Sequence, residues 1–296
     1  MRKKNYFKIA SLFILISLFQ ACSGGSKISF VIDNPTEGVL QFKIDDQDYN
    51  LAPGDLEEIS LKAGLHHLEG ALVGKVNFMV YANRPGGMIN PSLSPYVVVR
   101  ELYVVENTAN PMGSSFMNRQ KVTIDGVEFN GLFQRYATLF IEKNWKYGLK
   151  EDFPETISLQ QNMKSNIQAK IFRQKDFITY YENYTQQPGY FAKNRQNSPE
   201  EKDKSLPLAV SPLPSLSDAA LEKAMKELKE VYQEYLKASS AGEQEDLQKA
   251  YTQKSSDFLK IYATRARSLG LEENRKHTEI SSAMTNAFSA SVLVLP

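Results

Sequence analysis

The sequence predicts an α+β protein: a β-sandwich-like amino-terminal region followed by a carboxy-terminal antiparallel helical hairpin. Three observations predict it. Thirteen of the 16 glycines lie before residue 149. Across residues 28–81, apolar and polar residues alternate at a period of two, with turn residues recurring at the spacing of a sandwich or small barrel. From Leu221 to Tyr235 apolar residues recur at alternating steps of four and three, the helical pattern, and Leu247, Tyr251, Phe258, Ile261, Tyr262 and Leu269 give a second apolar stripe. The chain has 296 residues, 42% hydrophobic and 23% charged, so it can bury a sizeable core without disulfides or metals.

At the amino terminus, Arg2, Lys3, Lys4 and Lys8 precede an uncharged apolar run, 9–19, closed by Gln20-Ala21-Cys22. The run is too short to cross a hydrocarbon core that needs about 20 helical residues, so it reads as the apolar region of a signal peptide. With the single cysteine behind Ala21, the segment resembles the lipobox of bacterial lipoproteins, although Phe19 and Gln20 replace the usual leucine and small residue. That resemblance implies removal of 1–21 and acylation of Cys22 as the first mature residue. Residues 22–27 follow as a tether, and the membrane becomes a partner through the lipid. Ser23 behind the cysteine resembles the outer-membrane sorting pattern of enterobacterial lipoproteins. The expected location is therefore the bacterial outer membrane, with periplasmic and surface faces both open. Four of 35 basic residues leave with 1–21 and none of the 34 acidic ones, so the net charge goes from +1 to −3. Such a balance gives no steering toward nucleic acid.

The β-rich domain is expected over 28–185. Ile28, Phe30 and Ile32 share one strand face, and Leu40, Phe42 and Ile44 share the next. Turns are predicted at 33–38, 45–48 and 52–55. At the last of these, Pro53-Gly54 fits the two central positions of a type II turn. Further strands are expected around Ile59 and Leu61, at 65–69, and around Val76, Phe78 and Val80. The stretch 28–81 resembles PEGA-like small β-sandwich modules through Ile44-Asp45-Asp46, Pro53-Gly54 and residues 61–68. That likeness implies a structural or binding role. Residues 82–95 read as an irregular loop. A strong strand at 96–105 is apolar on both faces in its first half, and Asp125-Gly126 suits a type I′ hairpin turn. Residues 137–141 and 167–172 are strand candidates.

Residues 186–214 hold five of the 13 prolines and read as an exposed polar linker. The hairpin is expected over 215–270, with the segment Ser215-Leu216-Ser217-Asp218 capping its first helix and Ala241-Gly242 breaking the run. Residues 271–296 read as a tail, with a short helix and an apolar end that packs on the body as a strand or clasp.

The motifs for chemistry are few. Asp46, Asp48, Asn50 and Glu57 match the oxygen positions of an EF-hand loop, but Leu51 stands where that loop needs glycine. His66 and His67 are adjacent on a strand and point to opposite faces, so they cannot chelate one ion together. No nucleophile elbow, Walker loop, dinucleotide fingerprint or zincin motif occurs. The expectation is a non-enzymatic protein without cofactor or metal, binding an envelope protein or a glycan. A periplasmic hydrolase of cell wall or glycan is the alternative. The candidate recognition surface is Tyr180, Tyr181, Tyr184, Tyr190 and Phe191, since tyrosine offers rigid amphipathic contact area. Core or sheet-edge packing is the competing use of the same rings. The hairpin tyrosines 232, 235, 251 and 262 are expected to pack against each other.

Overall fold

The computed structural model describes residues 26–104, 120–157, 165–195 and 212–295, so the segment 1–21 expected to be a signal peptide and Cys22 lie outside the described residues. The fold is α+β, with antiparallel sheets first and helices in the final third. In chain order the first strands are β1 (Lys27–Asp33), β2 (Leu40–Ile44), β3 (Gln47–Leu51) and β4 (Leu56–Lys62). They are followed by β5 (Gly64–Gly70), β6 (Gly74–Val80) and β7 (Gly87–Ile89). Two sheets face each other across one core. The alternating residues Ile28, Phe30 and Ile32 of β1 and Ile59 and Leu61 of β4 meet Phe42, Ile44, Tyr49, Leu51, Leu68 and Phe78. The register Ile28↔Leu61 and Phe30↔Ile59 keeps these apolar sets on one face, as a period of two requires.

The predicted loop 82–95 contains a strand. β7 pairs in parallel with β1, Phe30 opposite Gly87. Two glycines allow it: Gly86 takes φ 74°, and a Cβ on Gly87 would lie 2.1 Å from the Ile141 carbonyl oxygen. Three residues without an apolar alternation left no period to read.

A second β unit follows. β8 (Tyr96–Val104) is central in a sheet with β11 (Phe133–Tyr136) and β13 (Ser165–Arg173). β9 (Gln120–Ile124) and β10 (Val127–Gly131) form a hairpin whose turn residues Asp125 and Gly126 sit at φ 47° and 78°, as a type I′ turn needs. β12 (Phe140–Glu142) returns to the first sandwich beside β7. The doubly apolar start of β8 is explained by position. Val97 and Val99 enter a core with Val122, Phe129, Phe133 and Phe172, while Tyr96 and Val98 pack on Met88, Ile141 and Trp145.

The predicted linker carries a short helix at its amino-terminal end and is held by a side chain at its carboxy-terminal end. Helix α1 (Gln174–Tyr184) leads to a one-turn helix α2 (Tyr190–Asn194), which folds back because the Glu182 carboxylate accepts from Gly189 N and Phe191 N. At the other end, the Lys229 ammonium holds the Pro214 carbonyl at 2.7 Å.

The helical hairpin is α3 (Ala219–Tyr235) and α4 (Ala241–Arg265). Asp218 caps α3, accepting from Ala220 N and Leu221 N, and these bonds hold its carboxyl below the ordinary carboxylate range. Arg265 at the end of α4 donates to the same Asp218 at 2.7 Å, which closes the antiparallel pair. The break falls at 236–240 rather than at Gly242, because Ser240 caps α4 through Glu243 N. The tail holds a full helix, α5 (Leu271–Ser289), longer than the short one expected, and then β14 (Val292–Leu295), which joins β6 antiparallel, Val292 opposite Val80. The stripe Ile280, Met284, Ala287, Phe288 buries α5 against Met79 and Tyr81 on the outer face of β6, together with α3. The hairpin tyrosines stack on other elements rather than on each other: Tyr235 on Tyr81 and Phe288, Tyr251 on Phe288, and Tyr262 on His277.

Candidate functional site

The five aromatic residues singled out in the sequence come together around α1 and α2, but they do not share one role. Tyr181 lies one turn beyond Phe177 and points inward, where it meets Phe129 edge-on at 4.9 Å; it is 7% exposed and is core, not surface. Tyr190 and Phe191 are half-buried and ring the same Phe129 at 5.8 and 6.4 Å. The Tyr190 hydroxyl also donates to the Glu128 carbonyl, so this ring fastens α2 to β10.

The outer rim is Tyr184 and Tyr180. Tyr184 is 67% exposed and stacks on Tyr180 at 5.7 Å with an interplanar angle of 19°. Tyr180 is positioned from below: its hydroxyl donates to Glu101 on β8, and Tyr103 donates to the other oxygen of that carboxylate at 3.1 Å. Burial, with the facing carboxylate, pushes the Tyr180 phenol up and moves the Tyr103 phenol to about 12, so both remain neutral donors. Phe153 closes the back of Tyr180 at 6.0 Å. The result is an exposed ring on a fixed ring, a flat platform with a carboxylate at its inner edge.

A buried ionic joint at the start of α1 lies beneath this platform. Asp33 at the end of β1 has no exposed surface. The Arg173 guanidinium, at the last residue of β13 and the start of α1, holds it with both a terminal nitrogen and Nε, the latter at 2.9 Å. Tyr96 donates to the same carboxylate at 2.8 Å, and Arg173 also donates to the Gly54 carbonyl. Burying a charge demands this full set of partners. Asp33 heads a turn cluster in the sequence, Asp-Asn-Pro, and nothing in that pattern marks it as half of an ion pair.

The other candidates separate. Asp45 and Asp46 form the turn between β2 and β3, with Asp45 at φ 51°, while Asp48 and Asn50 lie on β3 and Glu57 on β4. His66 is held between Asp45 Oδ2 and the Lys62 carbonyl, and His67 bonds Asn77, each on its own side of β5. Among the described residues, no grouping of three or more His, Cys, Asp or Glu side chains is placed to hold a metal ion. Among the same residues, no helix is long and apolar enough to cross a membrane.

No protein-family model matches the chain, and neither does any curated protein or solved structure compared with it.

Proposed function

We propose that this chain is a lipid-anchored protein of the bacterial envelope that acts without catalysis, as a binding or assembly factor recognising a protein or glycan. The observation that carries this reading is the Tyr184–Tyr180 stack. An aromatic ring two-thirds exposed, on a partner fixed by Glu101, is the chemistry of a contact surface: large rigid area at little entropic cost. The lipobox-like segment supports the anchoring half. β1 begins at Lys27, only five residues after Cys22, a spacer of at most about 18 Å when extended. A body so tethered works at the membrane surface.

Two measurements test the two halves separately. Mass spectrometry of the membrane fraction should find Cys22 as the first residue, carrying acyl chains; an unmodified or retained leader would overturn the anchor. A photo-crosslinking amino acid at position 184 should give a discrete adduct in intact cells, absent when it is placed at exposed Leu259 on α4. Labelling at 184 no different from labelling at 259 would overturn the recognition surface.

A further inference from the structure

A small cavity lies where the second β unit meets the outer face of the first sandwich, away from the Tyr184 platform. Its volume is about 170 Å³. The floor is apolar: Val31 of β1, Leu56 of β4, Met88 of β7, Ile171 of β13, and Trp145, the only tryptophan in the chain. Glu58, Lys150 and Glu151 stand at the mouth, and all three side chains are exposed.

The wall is unusually well built for a loop. Lys146 N and Tyr147 N both donate to the Ala169 carbonyl, and Ile171 N returns a bond to Tyr147. Lys170, 5% exposed, reaches under the loop and donates its ammonium to the Gly148 and Glu151 carbonyls. Burial lowers the pKa of that ammonium, which marks the cost of placing it there. The Glu151 carboxylate accepts from Gly148 N at 2.5 Å and closes the turn. These bonds fix the shape of a half-open cleft with an apolar floor.

Volume and chemistry define the guest. A ~150 Å³ apolar cavity is known to accept a benzene ring, so 170 Å³ takes one six-membered ring and no second. The Trp145 indole suits an aromatic guest, and two carboxylates against one ammonium at the mouth favour a cation outside the ring. We propose that this cavity binds a single aromatic ring carrying a short cationic tail, a small arylalkylamine, with the ring beside Trp145 and the ammonium between Glu58 and Glu151. This goes beyond the recognition role proposed above and does not depend on it.

Trp145 is its own reporter. In titrations of the full mature chain with 2-phenylethylamine, Trp145 emission should change saturably. Phenylacetate, of the same size and opposite charge, should bind at least roughly tenfold more weakly. Val31→Phe, which fills the cavity, should abolish the change while thermal melting shows the fold intact. Glu58→Lys alters only the exposed mouth and should reverse the preference between amine and acid. No saturable change up to the solubility limit would overturn the site, as would unaltered binding in a folded V31F. Equal affinity for amine and acid in the unaltered protein would overturn the assigned ligand class.

Discussion

The first sandwich is joined to the rest of the molecule at two junctions of opposite chemistry. Toward the second β unit the apolar contacts of Tyr96 and Val98 are joined by a buried ion pair: Asp33, fully buried, is held by Arg173 and Tyr96. Toward the helices it is aromatic: Tyr81 at the end of β6 stacks on Tyr235 at 4.4 Å, Tyr235 on Phe288 at 4.2 Å, and Phe288 on Tyr251 at 3.9 Å. Polar groups stitch its edges: Gln244 of α4 accepts from Ala82 N and donates to the carbonyls of Val80 and Ala238, the Arg84 guanidinium donates to the Phe288 carbonyl, and Asn83 donates to Glu245. The ionic joint is directional and fails badly if one partner is lost. Stacked rings contribute area, which falls gradually as atoms are removed. The joint beneath the aromatic platform is therefore the one most sensitive to loss of a single partner, and the joint that attaches the helices is the forgiving one.

The largest effect should come from breaking the ionic joint. Arg173→Met leaves Asp33 buried and unpaired, and should cost about 3–5 kcal/mol in urea unfolding. The double exchange Asp33→Leu with Arg173→Met leaves no buried charge and should recover more than half of that loss. A double variant as unstable as the single would mean that the charges themselves hold the junction.

Next comes one substitution with opposite signs at the two joints. Tyr96→Phe removes a hydrogen bond to a carboxylate and should destabilise by about 1.5–3 kcal/mol. The Tyr81 hydroxyl is buried and, among the described residues, has no hydrogen-bond partner; burial also drives its phenol pKa upward. Tyr81→Phe should therefore be neutral or stabilise by about 1 kcal/mol. A loss at both sites would show that the helical joint is also polar.

These joints mark the limit of what could be read in the sequence. Alternation exposed β1, β2 and β4, and the four-three steps exposed α3, because each buries a regular stripe, whereas α4 fully buries only Gln244 and Phe258. Asp125-Gly126 was legible since only a type I′ turn needs two positive φ values there. The full length of α5 was not, because His277, Asn274 and Arg275 interrupt its apolar stripe, which gathers only over its last turns, Ile280 to Phe288. Of the aromatic platform, composition pointed to the segment but not to the face. Helical spacing sends Tyr181 inward with Phe177 and leaves Tyr184 outside, whereas the sequence pattern places this stretch at the end of a β-rich region. The pairing of Asp33 with Arg173 spans 140 positions and leaves no local pattern.

A smaller, pH-dependent effect belongs to the aromatic side alone. His277 of α5 stacks on Tyr262 at 4.1 Å and Phe258 at 5.4 Å and bonds Ser281, and burial lowers its pKa below the usual histidine value. In the unfolded chain it titrates near ~6.5. Below that pH the unfolded state takes up the proton first, so stability should be full above ~6.5 and fall as the pH drops toward the folded value. The read window is above ~5, before carboxylates protonate. His277→Phe should flatten the dependence there. An unchanged slope in His277→Phe would move the titration elsewhere.

The smallest stability effect should fall on the residue with the largest expected role in recognition. Tyr184→Ala removes an exposed ring that contributes only its stack on Tyr180, and should change stability by no more than about 0.5 kcal/mol. Tyr181→Ala, three positions away, empties the core around Phe129 and should cost about 3–5 kcal/mol. If the platform contacts a partner, the two variants separate cleanly when each is scored for crosslinking from a neutral neighbouring position such as Thr185. Tyr184→Ala should lose the adduct while its urea midpoint stays in place, and Tyr181→Ala should lose the adduct only in proportion to its unfolded fraction. Retention of the adduct in a fully folded Tyr184→Ala would leave the stacked rings as packing, with no share in recognition.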